Sequence, residues 1–306
     1  MGARTMKTTV ILGCGYTGKV LARMLGEQGV RVRGTTRSEL GAEALARLGI
    51  EGRVLDTTLP KTLEGIAVGM DVVFDMIPPV RVSPRGEPEC FVDPTAHLIR
   101  ACEGEAIRRF VYLGSTAIYG SADAEWVDED TPVRPSSPRS RARLEAEQAV
   151  LRAHRERAFP GVIVRAPGIY GPGRTPAHRI RKGAYRVPGD GQNYVNRIHV
   201  EDLARVLAAA AERGRDGAIY VAGDDCPERA RVVADFCASL VGMPPAPSID
   251  AAQAARSMGE SDLAMMQGDK RIRNARMKEE LGVVLRYPSY REGIPAALAE
   301  EDAGKH

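Results

Sequence analysis

The chain has 306 residues, 43% hydrophobic and 27% charged, with a net charge of +3 from 43 basic and 40 acidic side chains. That composition belongs to a globular protein with a sizeable core, and its interspersed signs exclude the one-sided basic face of a dedicated nucleic-acid binder. No apolar run approaches the roughly 20 residues that span a bilayer, and five scattered cysteines and five histidines without ligand spacing predict a reduced, cytoplasmic chain without a metal site.

The N-terminus, MGARTMKTTVILG, runs directly into a strand pattern and lacks the form of a secretory signal or a myristoylation site. Residues 8–13 predict the first strand. The helix after it places Val20, Leu21, Met24 and Leu25 on one face and ends at Gly29. Strands follow at 30–36, 52–56, 70–78 and 108–115, with a helix from Glu39 to Leu48 and another over 90–107. A helix over 139–158 leads to a buried strand in GVIVRAPGIYGPGR (161–174), which breaks into a Gly/Pro loop. Beyond it come a helix over 200–213, a late strand at 217–223 and helices over 227–241 and 270–281; residues 244–270 are Pro-, Ala- and Ser-rich with weak periodicity.

Alternating helices and continuously apolar strands predict a parallel sheet covered on both faces. The expected fold is α/β, a Rossmann-type doubly wound parallel sheet with a smaller C-terminal substrate-binding cap. The dinucleotide-binding domain is expected over 6–166 plus 200–223, and the cap over 167–199 and 224–306.

VILGCGYTG sets Gly13, Gly15 and Gly18 in a G-x-G-x-x-G array between strand and helix. The first glycine permits the turn, the second lets backbone approach a pyrophosphate, and the third lets helix and strand pack closely. Tyr16 and Thr17 open the helix whose free N–H groups would face the anion. At the end of the second strand an NAD site usually carries a carboxylate; this chain has Thr36 and Arg37 instead, with none before Glu39. Arg37 can grip a 2′-phosphate, which favours NADP(H) over NAD(H). The other reading leaves Arg37 solvated and Glu39 near the ribose. Asp56, after the third strand, meets the adenine end or caps the next turn, and Ile77 and Pro78, closing the fourth, are expected beside the cofactor.

The ordered blocks VILGCGYTG, FVYLGSTAIYG, VRAPGIYGPGR, VPGDGQNYVNRIHVEDLA and RNARMKEELG resemble the extended short-chain dehydrogenase/reductase superfamily, the NAD-dependent epimerase/dehydratase proteins. The resemblance covers nearly the whole chain. It implies that Pro167, Gly168 and Ile169 lie beside the nicotinamide, and that Ser115 is one member of the catalytic set. The family's Tyr-x-x-x-Lys pair is missing: no tyrosine is followed four residues later by lysine, and Arg139 and Arg143 stand at that spacing. The chain is therefore identified as an atypical member.

An arginine above pKa 12 cannot donate a proton near neutrality. Arg143 is expected to hold the cofactor ribose or the substrate, with Ser115 and Tyr119 performing the polar chemistry; the other reading of Tyr119 is a structural tyrosine under the loop. Tyr170 is expected to form a wall. His199 and Asp202 fit a mainly structural role at a helix start. Asn193, Arg197, Arg174 and Arg179 are candidates for a polar or anionic substrate, Trp126 for a lid, and Cys14 for a small filler. Three functions compete: an NADP(H)-dependent oxidoreductase or epimerase of a small polar substrate with a non-standard proton donor, an inactive NADP(H)-binding sensor or scaffold, and a sugar-nucleotide epimerase or dehydratase. No nucleic-acid or membrane partner is expected, and a homodimer is an open option.

Overall fold

The computed structural model describes residues 6–84, 86–257 and 260–304. Seven parallel strands form the central sheet: β1 (Thr8–Leu12), β2 (Arg31–Thr36), β3 (Glu51–Val54), β4 (Val72–Asp75), β5 (Arg109–Ser115), β6 (Gly161–Ala166) and β7 (Ile219–Val221). Their order is β3-β2-β1-β4-β5-β6-β7, the doubly wound arrangement expected from the alternating pattern. The order reverses between β1 and β4, and ligands of such sheets bind outside the carboxyl ends of the strands at that switch.

Strand side chains alternate between faces, so each apolar run supplies both layers. Ile11, Val72, Phe74, Val111, Val162 and Val164 pack under α1 (Tyr16–Glu27) and α6 (Val200–Arg213), and Leu45 of α2 (Glu39–Ala46) joins the same layer. Val10, Leu12, Val73, Phe110 and Ile163 pack on the other face, under α3 (Thr95–Ala101) and α4 (Pro138–Arg157). The start of α4 is fixed by a reciprocal Ser137–Ser140 capping box with Pro138 in the first turn. A smaller core of Tyr170, Ile180, Tyr185, Val233, Cys237 and Ile294 joins α5 (Pro176–Arg181), α7 (Ala230–Leu240) and α11 (Tyr290–Ala303) beside the sheet.

Three elements differ from expectation. The helix expected over 90–107 shortens to α3, because Phe91–Val92 pairs antiparallel with Val80–Arg81 and Pro94 disfavours helix at Asp93. The Pro-, Ala- and Ser-rich stretch carries two short helices, α8 (Ala251–Ser257) and α9 (Glu260–Gln267). The helix expected over 270–281 begins only at Ala275, as α10 (Ala275–Leu281), because Arg271–Ile272 pairs in parallel with Trp126–Val127. Met277, Leu281 and Val283 also join the large core under α6, so this stretch of 224–306 packs on the Rossmann layer instead of within a cap.

Candidate active site

The phosphate loop divides its work among three glycines. Gly13 has φ +75°, and a Cβ there would stand 3.0 Å from Ile77 Cγ1 and 3.2 Å from Ile77 Cα. Only glycine lets the ends of β1 and β4 approach this closely. The space over Gly15 is open, and at Gly18 a Cβ would meet Ile11 Cγ2 at 3.1 Å and Cys14 Sγ at 3.3 Å. No side chain caps α1 and its first turn holds no acid, leaving the N–H groups of Tyr16, Thr17 and Gly18 for an anion. These residues fit a dinucleotide pyrophosphate. Tyr16 Oη donates to the Pro172 carbonyl at 3.0 Å, and Arg174 lies over its ring, tying the loop to the segment after β6. Burial pushes the Cys14 thiol up to about 11, in keeping with a filler.

At the adenine end, Arg37 is exposed just beyond Thr36 and the end of β2. Asp56 Oδ1 accepts from Thr58 N at 2.9 Å and Thr58 Oγ1 at 2.7 Å. These bonds, helped by the nearby Arg37 charge, hold the Asp56 carboxyl below its usual range. Asp56 therefore caps the following turn.

The place of the missing pair is filled by a network that the sequence did not reveal. Arg139 is exposed over the Phe91 ring. Arg143 turns inward, its side chain only 13% exposed. Its Nη1 donates to the carbonyls of Leu113 (3.1 Å) and Ile77 (3.3 Å), to Tyr112 Oη (3.0 Å) and to Asp93 Oδ2 (3.2 Å). Nη2 and Nε make no hydrogen bond among the described residues, all four bonds being made by Nη1. Behind it, Thr95 Oγ1 donates to the fully buried Asp75 at 2.7 Å and lies 2.6 Å from Asp93 Oδ1. Burial, and then the neighbouring Asp93 charge, push the Asp75 carboxyl up to about 7.

A carboxyl raised in the folded state favours folding below its unfolded pKa near 4 and loses that contribution as pH rises through its folded value. The parent protein should thus lose stability between about pH 4 and pH 7 on this account. Asp75→Asn, which keeps the acceptor for Ile77 N, is expected to flatten that decline and to match or exceed the parent at pH 8. Urea melts at pH 5 and pH 8 measure it; an unchanged pH slope would refute the assignment.

Ser115 ends β5 beside Ala166 of β6, its Oγ accepting from Ala117 N at 3.2 Å, and opens a one-turn helix (Thr116–Tyr119). Tyr119 sits otherwise than a substrate-facing acid would. It is 2% exposed, its Oη donates to the Asp128 carbonyl at 2.5 Å and accepts from Arg165 Nη1 at 2.7 Å, and burial pushes its phenol up to about 12. Arg165 in turn holds the buried Glu147 at 2.9 Å. Tyr119 therefore props the Ser115 turn from beneath.

A cleft of about 450 Å³ opens at the carboxyl ends of β5 and β6. Ser115, Thr116 and Gly120 form one side, Pro167, Gly168 and Ile169 another, and Tyr170 is part of the wall. Arg174, Arg179, Arg197 and Lys270 also line it, with no carboxylate among the lining residues. Asn193 does not present a free amide: its Nδ2 donates to the carbonyls of Met266 (2.9 Å) and Gly268 (3.3 Å). His199 caps α6 through Nδ1 and packs on Tyr170 and Tyr287, and burial lowers its pKa. Asp202 accepts from the N–H groups of Arg286 and Tyr287. Both are structural. Trp126 sits under Arg271 at the short strand pair and is not among the residues lining the cleft. Lys270 was missed in the sequence because it was assigned to a helix on the weakly periodic stretch before RNARMKEELG, where nothing marked it apart from other surface lysines.

The model of the NAD dependent epimerase/dehydratase family matches residues 9–223. The chain is similar to the 3-diazoavenalumate denitrifying reductase of a Streptomyces species, 26% identical over 304 residues that make up 93% of this chain and 98% of that one. It is 28% identical over 271 residues to the 4-hydroxy-2-methyl-3-oxo-4-farnesyl-3,4-dihydroquinoline-1-oxide ketoreductase of Stigmatella aurantiaca, covering 84% and 80% of the two chains. A functionally unknown conserved protein from Silicibacter pomeroyi has the same fold, with a TM-score of 0.81, 35% identity and coverage of 96% and 99%.

Proposed function

Because the chain belongs to the NAD dependent epimerase/dehydratase family, we propose that it is an NADP(H)-dependent reductase of a small, negatively charged carbonyl compound. The observation that carries this reading is a pair of neighbouring features: an open phosphate-binding turn, whose Tyr16 lies under Arg174, and a cleft lined by Arg174 and Ser115 whose four charged lining residues are all basic. Two relatives of comparable length are reductases by name, which favours reduction over epimerisation. The bound cofactor would supply the hydride. Of this chain's own groups, the α1 N-terminus would hold the pyrophosphate, and Arg143 would reach the ribose. Ser115 would orient the carbonyl oxygen, and the proton would come from a group other than Tyr119.

NADP(H) is preferred in this reading because Arg37 is exposed where a 2′-phosphate would lie and Asp56 is committed to Thr58. The parent should bind NADPH at least tenfold more tightly than NADH, about 1.4 kcal/mol, within reach of one charge-assisted contact. Arg37→Ala should remove most of that difference. Calorimetry with both cofactors decides it, since equal affinities in the parent would contradict the assignment. Tight NADPH binding with no oxidation of it by any of a panel of 2-oxo and 3-oxo acids would favour a sensor.

A further inference from the structure

Lys270 is a buried cation with no carboxylate within ion-pair distance among the described residues. It is 7% exposed, and its Nζ makes one hydrogen bond, to the Gly120 carbonyl at 2.8 Å. Among the described residues it forms no ion pair, and two of its three N–H donors find no partner there. A buried, incompletely paired ammonium is costly, and proteins keep one where something else completes it.

The surroundings hold this lysine in place. Asp269 Oδ1 accepts from Tyr194 N at 2.7 Å, and the Asp269 carbonyl accepts from Ala122 N at 2.8 Å. Asn196 Nδ2 donates to the Lys270 carbonyl at 2.9 Å, while its Oδ1 accepts from Ile272 N at 2.8 Å. The next two residues pair with Trp126–Val127. A Cβ at Gly268 would stand 3.1 Å from Nζ, so glycine there leaves room for the ammonium. The backbone is pinned on both sides, and the side chain lines the cleft that also contains Ser115.

We propose that Lys270 is the specificity-determining residue of this cleft, its ammonium binding a carboxylate of the carbonyl substrate. This rests on the reductase reading for the reaction, though the anion site itself requires no cofactor. Burial brings the Lys270 ammonium down to about 8, with Asp269 acting in the opposite direction. The other charged groups lining the cleft are Arg174, Arg179 and Arg197. Anion affinity therefore falls as pH rises above about 8, when Lys270 becomes a neutral amine.

Malonate serves as an inert probe of the full-length protein, measured by calorimetry without cofactor. Lys270→Met should weaken malonate at least tenfold at pH 7, whereas Lys270→Arg, which keeps the charge, should stay within threefold of the parent. From pH 7 to pH 9 the parent should lose about tenfold and Lys270→Arg should not. NADPH affinity and the melting temperature report whether the fold survives in both variants. In turnover, the parent should prefer phenylglyoxylate over its neutral methyl ester by kcat/KM, and Lys270→Met should erase that preference. Malonate binding that is unaffected by Lys270→Met, or absent in the parent, overturns the proposal whatever the catalytic result. If malonate behaves as expected but the parent reduces neither compound, the anion site stands and the reductase reading fails.

Discussion

Glu147→Ala is expected to destabilise the fold by about 3–5 kcal/mol, the range found when one partner of a buried ion pair is removed. Glu147 and Arg165 are 1% and 5% exposed at their side chains. Arg165 Nε lies 3.1 Å from Glu147 Oε2 and Nη2 lies 2.9 Å from it. Without the carboxylate, the guanidinium keeps the Tyr119 hydroxyl as its main acceptor, and its side chain, 5% exposed near the end of β6, has little access to water. The effect reaches the site, because Tyr119 ends the turn that Ser115 opens. Urea denaturation measures the loss, and a deficit below 1 kcal/mol would show that water enters and solvates Arg165. The paired replacement Glu147→Leu with Arg165→Met should cost much less than the single change, since it removes both charges together.

The fold was largely legible because its signals are local. Apolar runs such as Val10–Leu12 and Val162–Val164 mark strands without reference to their neighbours, and G-x-G-x-x-G between strand and helix marks the phosphate turn. Gly29 likewise marks a helix end within a few residues. What escaped was long-range. Asp75 and Asp93 fall inside an expected strand (70–78) and an expected helix (90–107), and only the β4–β5 neighbourhood puts both near Arg143. Tyr119 looked available at the top of a strand, yet Asp128 and Arg165 come from elsewhere in the chain to occupy its hydroxyl. The late helix was misplaced because periodicity gave no hint that Arg271 and Ile272 would be drawn out to pair with Trp126 and Val127. Lys270 was invisible for the same reason: its burial depends on a segment that Asn193 and Asn196 pin down from afar.

The network around Arg143 leads to the second large effect. Arg143→Met should cost about 3–5 kcal/mol at pH 8, because it strands two buried carboxylates, Asp75 and Asp93, with no cation between them. Two close carboxylates without a counter-charge resist double ionisation, so the variant would hold a proton that the parent releases. Proton uptake by the folded state favours folding at low pH and loses that advantage as pH rises. The deficit should therefore shrink toward pH 5, and equal deficits at pH 5 and pH 8 would refute the electrostatic account. Restoring the family's pair by Arg139→Tyr with Arg143→Lys meets the same constraint. A lysine keeps the charge but not the planar fork. Its ammonium has three N–H donors against the guanidinium's five, and on a shorter, non-planar head it cannot hold the position from which Nη1 reaches four acceptors. The double variant should lose stability relative to the parent without gaining turnover. A rise in turnover of tenfold or more would mean that the cleft is still built for a tyrosine and lysine, and that the buried network is incidental to catalysis.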